Sequence, residues 1–365
     1  MRDWRSISQI DWSLIIAAFA LAAVGICAID AATEPAAGAG PVERQLVWAG
    51  IAIVAMVIAA WPSYRLAERL AYAAFVMCVP LLVAVYWTEP VNGAQRWLRA
   101  GPVGVQPSEL AKLAFVAALA RFLSRGDNAR RWWVLVVPVA LAAVPMSLIL
   151  KQPDLGTAML FVPVLVAMLF GAGVRPRYLA VLAIAGVVAA PFLWKAMSPV
   201  QRTRITGFLA QRDTGPHPRD EGYQLYQSKL MIAYGGTAGA DDATELHLPF
   251  DHTDFIFSVI AGRWGLAGVT DVLVALAVIV WRGLRIVTRS SDPFGRLVAL
   301  GIVALLATQA LINIAMTVGL APITGLTLPF VSYGGSSLLT CFIAVGVLVN
   351  IARQVEEPWC FSAQP

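Results

Sequence analysis

Long apolar runs recur along this chain from near its start to near its end, and no other feature of the sequence restricts the fold as much. A helix needs ~20 mostly apolar residues to cross the hydrocarbon core of a bilayer, and these runs are of that order. They lack the alternation of strands, so the crossing elements are helices and not a closed barrel. With 59% of residues hydrophobic and only 13% charged, a water-soluble globule is excluded. The ~20-residue criterion predicts about ten spans. They are Trp12–Ile29, Leu46–Trp61, Leu66–Trp87, Ser108–Leu123, Trp132–Leu150, Gly156–Gly171, Tyr178–Met197, Thr253–Trp281, Arg296–Val318 and Ser336–Ile351. The expected fold class is an all-α integral membrane protein, a single polytopic domain over residues 1–365.

An even number of spans puts both termini on one side, and Lys and Arg in the short loops say which side. One set of ends carries Arg2, Arg5, Arg65, Arg69, Arg121, Arg125, Arg130, Arg131, Arg175, Arg177, Arg282, Arg285, Arg289 and Arg353. The short loops at the opposite ends carry only Arg44, Arg96, Arg99 and Lys151. Both termini are therefore expected in the cytoplasm. The long polar connection at 198–251, between the seventh and eighth spans, then faces outward with Asp254. The net charge of +5 belongs to this topology and not to nucleic-acid binding. Cys27, Cys78 and Cys341 fall inside apolar runs, and together with Cys360 they show neither zinc nor disulfide spacing. Arg2 and Arg5 precede an apolar run as in a signal peptide. Ala28-Ile29-Asp30-Ala31 is a poor cleavage site, however, and an uncleaved first span is expected.

His252-Thr253-Asp254-Phe255-Ile256-Phe257 puts a carboxylate at the mouth of an apolar run, beside the longest polar segment. An acid at that boundary reads as a functional site. Asp251 and Asp254, three apart at a helix start, read equally well as caps that accept backbone N–H groups. Four other outward stretches carry polar groups that hydropathy does not require. Asn92 to Leu98, with Arg96, runs on to Gln106-Pro107-Ser108-Glu109-Leu110-Ala111-Lys112, where Glu109 and Lys112 can pair on one helix face. Such a pair either lines a wet cavity or fixes packing. Lys151-Gln152-Pro153-Asp154-Leu155-Gly156-Thr157 is a tight turn in which Asp154 is either a cap or a site residue. The long connection carries Arg204 and Lys229, cations suited to phosphate, though any one of them is also an ordinary solvated residue. Pro322 to Ser337 breaks the helix pattern with Pro322, Pro329, Gly325, Gly334 and Gly335 while staying apolar, so it belongs inside protein or along a cavity. Its freed N–H groups and hydroxyls, Ser332 and Ser336 among them, suit an anionic head group. No His, Cys and carboxylate cluster has metal-ligand spacing, and no phosphate-binding glycine loop or Ser-His-Asp order is present.

In this order, five motifs resemble the SEDS family of bacterial cell-wall polymerases (shape, elongation, division and sporulation). They are Gln106-Pro107-Ser108-Glu109 with Lys112, Gln152 to Thr157, Gln227-Ser228-Lys229, His252 to Phe257, and Leu328 to Ser336. The resemblance covers Asp11 to Arg353 and is closer to the RodA-like branch than to the FtsW-like one, on the short N-terminal tail, Arg202–Leu209 and Glu109–Leu113. Three departures from the family pattern are present. Phe250 stands where a glutamate is usual, Gly262 and Arg263 replace two acids, and Thr237 to Asp242 lacks a glycine-lysine-glycine. These changes make the local charge more positive and bear on activity, not on the fold.

The resemblance implies a peptidoglycan glycosyltransferase at the bacterial cytoplasmic membrane with its active site facing outward. It would polymerise lipid II into β-1,4-linked glycan with inversion, for elongation and cell shape. Asp254 is then the general base, and Arg96, Glu109, Lys112, Asp154, Arg204, Lys229, Ser332 and Ser336 are the substrate-binding candidates. A divalent cation, Mg2+ or Mn2+, suits the family's activity, without a legible ligand set; no organic cofactor is implied. The implied partners are lipid II and the lipid-linked nascent glycan, a single-pass class B penicillin-binding protein, and other membrane proteins of the elongation complex. The rivals are a lipid II flippase built from the same broken helices and an inactive scaffold for the penicillin-binding protein. Arg263 and Asp271, deeper in the eighth span than the other polar groups, are what a flippase would use.

Overall fold

The computed structural model describes residues 10–33, 40–89, 95–100, 103–125, 134–210, 222–240, 248 and 252–355. Arg2, Arg5, Arg130, Arg131, Asn92, Gly93, Asp241, Asp242, Phe250, Asp251 and Cys360 lie outside the described residues. Every expected apolar run is helical. The helices are α1 (Trp12–Ala32), α2 (Pro41–Ala60), α3 (Tyr64–Ala84), α4 (Pro107–Leu123), α5 (Val136–Lys151), α6 (Leu155–Gly171), α7 (Pro176–Ala196), α8 (Pro199–Leu209), α9 (Tyr223–Gly235), α10 (Ile256–Arg289), α11 (Pro293–Thr317) and α12 (Gly335–Val355). Six of the described helices are long and apolar enough to cross a membrane: α1, α2, α3 with its 3-10 extension to Trp87, α10, α11 and α12. Helices α5 and α6, and the stretch Pro176–Phe192 of α7, are shorter apolar helices. The chain is a multi-pass membrane protein.

Helix α4 is the buried centre of the bundle. Pro107 starts it at a position where a missing N–H costs nothing, and Glu109 sits in its first turn, where a carboxylate opposes the helix dipole. Most of its side chains are buried, including Ser108, Glu109 and Lys112. Helix α2 lies along α12, and Gly346 allows this, because a Cβ there would sit 2.4 Å from the Met56 carbonyl. Asn350 of α12 then closes the end of α2 by donating to the Ala59 carbonyl at 2.9 Å and to that of Pro62. At the start of the chain's first helix, Asp11 caps α1 through Leu14 N and pairs with Arg282 of α10 at 2.7 Å.

Three features differ from the sequence expectation. A small antiparallel hairpin, β1 (Leu98–Ala100) with β2 (Val103–Val105), precedes α4 although no alternating run announces it. Helix α10 starts three residues after Thr253 and runs past Trp281 to Arg289. Its start is delayed because the His252 and Asp254 carbonyls accept from Tyr333 N and Asn313 Nδ2, at 2.9 Å each, outside the helix ladder. Its end is prolonged by Arg282 and Arg285, whose guanidinium groups lie 5.6 and 5.7 Å from the Trp281 ring, a cationic and aromatic collar suited to the membrane boundary. The long connection is also structured in part, holding α8 and α9. Ser198 and Gln201 form a capping box that starts α8 immediately after α7.

Helix α10 is broken at Gly265, whose backbone (φ +59°) leaves the helical region. The turn after α9 docks at the break: Leu266 N donates to Thr237 O at 3.2 Å, and Ala240 N to Gly262 O at 2.9 Å. A Cβ on Gly235 would fall 2.6 Å from the Gly262 Cα, so backbone meets backbone here. That closeness is the physical reason for a glycine at 235.

Candidate active site

The chemistry-bearing side chains gather where the loop before β1, the α5–α6 turn, α8, the start of α10 and the broken segment 318–334 meet. Arg96 holds the α5–α6 turn. Its Nε donates to Gln152 O at 3.1 Å and its Nη2 to Pro153 O, while Nη1 lies 3.9 Å from Asp154. Asp154 is buried and fully engaged: Oδ1 accepts from Thr157 N at 3.2 Å, capping α6, and Oδ2 accepts from Gln106 Nε2 at 3.1 Å. Asp154 is therefore a cap through one oxygen, while its other oxygen holds Gln106 at the start of α4.

Asp254 stands two residues before α10, outside that span, and is partly exposed. The N-cap of the helix is Phe255, which makes no side-chain capping bond, and Asp254 stands one residue before the cap position. It and Arg204 of α8 both flank Gly325: a Cβ at Gly325 would lie 3.5 Å from Asp254 Oδ2 and from Arg204 Nη1. Glycine is also required there by φ +73°. Burial raises the Asp254 pKa to about 6, partly opposed by Arg204, Arg96 and His252 and reinforced by Asp154. Burial likewise lowers that of Arg204, and Arg96 adds to the fall against the pull of Asp254 and Asp154. Arg96, Asp154, Arg204 and Asp254 thus form one electrostatic cluster of two cations and two carboxylates.

Glu109 and Lys112 lie deeper. They pair at 2.8 Å, and Lys112 Nζ also donates to Gln309 Oε1 at 3.0 Å, with the Lys112 side chain only 2% exposed. Gln309 in turn donates to Thr327 O at 3.0 Å, and Thr327 Oγ1 is 2.8 Å from Ser337 Oγ. Lys229 is partly buried on α9. Its neighbour Ser228 bonds Ser258 Oγ at 2.6 Å and Thr317 O at 2.8 Å, which ties α9 to α10 and α11. Ser332 of the broken segment and Ser336 at the start of α12 are committed to backbone. Ser332 Oγ accepts from Leu328 N at 2.8 Å, and Ser336 Oγ accepts from Gln106 N at 3.0 Å and donates to Gly104 O.

The broken segment is buried from Leu328 to Ser332, as irregular backbone at membrane depth must be. Leu328, Phe330 and Val331 are core residues, and a Cβ on Gly25 of α1 would strike the Val331 carbonyl at 2.3 Å. Two amides that the sequence reading passed over hold the segment. Gln45 of α2 donates to Ser332 O and accepts from Gly334 N, both at 3.3 Å. Asn313 of α11 donates to Leu326 O at 2.6 Å and to Asp254 O at 2.9 Å. A signal for α11 was present: Gln309, Asn313 and Thr317 recur every four residues in an otherwise apolar helix. Among the described residues no three His, Cys, Asp or Glu side chains converge as a metal site.

Fold and site together define a multi-pass membrane protein with a mixed-charge site at one end of its helices. Residues 9–357 match the family described as cell cycle protein and named for FtsW, RodA and SpoVE. A probable peptidoglycan glycosyltransferase FtsW of Geobacter metallireducens is 34% identical, over 96% of this chain and 97% of its own. Peptidoglycan glycosyltransferase MrdB of Escherichia coli K12 is 35% identical, over 86% of this chain and 85% of its own. A chain from a solved structure on coordinated polymerization and crosslinking by a peptidoglycan synthase complex superposes with a TM-score of 0.82 at 31% identity, covering 96% of this chain and 99% of that one. The chain belongs to the FtsW, RodA and SpoVE family, the SEDS proteins. Identities of 34% and 35% do not separate a division branch from an elongation branch.

Proposed function

We infer that this chain is a peptidoglycan glycosyltransferase that polymerises lipid II, with Asp254 as general base. The observation that carries the assignment of the base is the Asp254 carboxylate standing with Arg204 beside Gly325, in the electrostatic reach of Arg96 and Asp154. Family membership and the names of the relatives support the reaction class. The 4-hydroxyl of the incoming lipid II N-acetylglucosamine attacks the anomeric carbon of the lipid-linked strand. The new C–O bond forms as the bond to the diphosphate breaks, the hydroxyl proton passes to Asp254, and undecaprenyl diphosphate leaves. One displacement inverts the centre and needs no enzyme nucleophile. Arg96 and Arg204 neutralise the departing diphosphate, the larger share of the rate gain in such reactions. Mg2+ or Mn2+ is given no step here.

The proposal places about ten helices across the cytoplasmic membrane with the Asp254 end outward, the arrangement that the Lys and Arg bias favours. It includes the elongation branch and a class B penicillin-binding protein as cross-linking partner, which the polymerization and crosslinking complex among the structural neighbours supports. The test is polymerisation of lipid II by the purified protein with its partner and divalent ions. Glycan strands are expected, and no product under any condition overturns the reading. The same assay checks the base. Because Asp254 must be ionised to accept the proton and its pKa is raised to about 6, kcat/KM is expected to fall as pH drops through about 6 and to level above it. A limb near the ordinary carboxylate value, or none, removes Asp254 from that role.

A further inference from the structure

Helix α11 presents Gln309, Asn313 and Thr317 on one face, all buried, and each engages a different part of the site. Gln309 holds Lys112 and Thr327; Thr317 takes the Ser228 hydroxyl at its carbonyl. Asn313, between them, is fully buried and donates to two main-chain carbonyls, Asp254 O and Leu326 O. Its own Oδ1 has no partner among the described residues. Turning the amide over would aim that oxygen at two carbonyls, so the donors fix its orientation. Leu326 adjoins Gly325, the residue that Asp254 and Arg204 flank. One amide therefore sets both the acid and the floor beneath it.

We propose that Asn313 is a positioning residue for the transfer reaction, holding the Asp254 main chain against the broken segment so that the carboxylate reaches the acceptor hydroxyl. It touches neither substrate nor reacting atoms. The proposal rests on the glycosyltransferase reading with Asp254 as base. Without Asn313 two buried carbonyls lose their donor, and the residues before α10 are free to join the helix ladder, which would rotate Asp254 away. A misplacement of ~1 Å in a reacting group costs on the order of 10²-fold in rate.

The test is lipid II polymerisation by Asn313→Asp, Asn313→Ala and Asn313→Ser, with rates taken per folded molecule from size-exclusion chromatography and thermal unfolding. Asn313→Asp keeps the shape but sets an anion against two carbonyls. A fall in kcat of roughly 10²-fold with KM within about threefold is expected for it and for Asn313→Ala. In Asn313→Asp the acid limb of the pH profile is also expected to move upward, since a second carboxylate disfavours ionisation of Asp254. Native-like kcat with an unmoved limb makes Asn313 a packing residue and overturns the proposal. A raised KM at unchanged kcat overturns it too, in favour of substrate contact. Failure of all three variants to fold assigns Asn313 to fold maintenance. If the native chain polymerises nothing, the glycosyltransferase reading falls first and this one with it; an active native chain with indifferent variants removes this one alone.

Discussion

Replacing Asp254 with asparagine lowers lipid II polymerisation by ~10²–10⁴-fold, the contribution of a positioned general base. Asparagine keeps the volume and can accept a hydrogen bond, but it cannot take the hydroxyl proton. The main-chain bond from Asn313 to Asp254 O at 2.9 Å does not involve the side chain and survives the change. The α10 start also survives, because no capping bond is lost. The substitution removes one carboxylate from a cluster in which Arg96 and Arg204 remain, so binding of the anionic diphosphate is retained or strengthened. The loss is therefore expected in kcat, with KM equal to or below native, and with unchanged thermal unfolding in detergent. Equal kcat in both proteins would remove the base role and move the search to Asp154 and Glu109. If neither protein makes product while the partner still binds, the chain is a scaffold or a flippase, and Arg263 is the residue to revert.

The spans were readable because a bilayer leaves the chain no choice: an apolar run of that length must close its own backbone hydrogen bonds. The same physics marked Pro322 to Ser337 as buried irregular backbone, and Val331 against Gly25 realises it. Helix α8 was readable in principle, since Ser198 and Gln201 carry a capping box, but the surrounding polarity hid it. The cluster was legible only in part. Each of its members lies in a stretch that stood out, yet their assembly depends on contacts between residues far apart in sequence. Arg96 reaching the Gln152 and Pro153 carbonyls is one such contact, and the approach of Arg204 and Asp254 to Gly325 is another. The choice between cap and site for Asp254 could not be made from spacing. It turns on whether the helix starts at Thr253 or at Ile256, and that is set by Tyr333 and Asn313 from elsewhere in the chain. Ser332 and Ser336 show the converse: a hydroxyl beside a broken helix has backbone groups to satisfy, and both are bonded to them.

Lys112→Met is expected to destabilise the fold by about 3–5 kcal/mol, the usual cost of leaving one member of a buried ion pair uncompensated. Lys112 donates to Glu109 at 2.8 Å and to Gln309 at 3.0 Å with its side chain 2% exposed, so neither partner can turn to water when it is removed. Glu109→Gln combined with Lys112→Met removes both charges, and most of the lost stability is expected to return, because a buried pair and an apolar replacement of similar size often differ little. Activity is expected to behave otherwise. Gln309 links Lys112 to Thr327, two residues from Gly325 under the Asp254 and Arg204 heads. A methionine at 112 leaves the Gln309 oxygen without that donor, and the amide is then free to turn away from Thr327. The double variant should unfold near the native temperature yet polymerise lipid II at least tenfold more slowly, about 1.4 kcal/mol in the barrier. Thermal unfolding and polymerisation measured on the same preparations decide it. Recovery of both would mean that the pair only holds α4 in the bundle, whereas recovery of stability alone places Glu109 and Lys112 in the support of the active site.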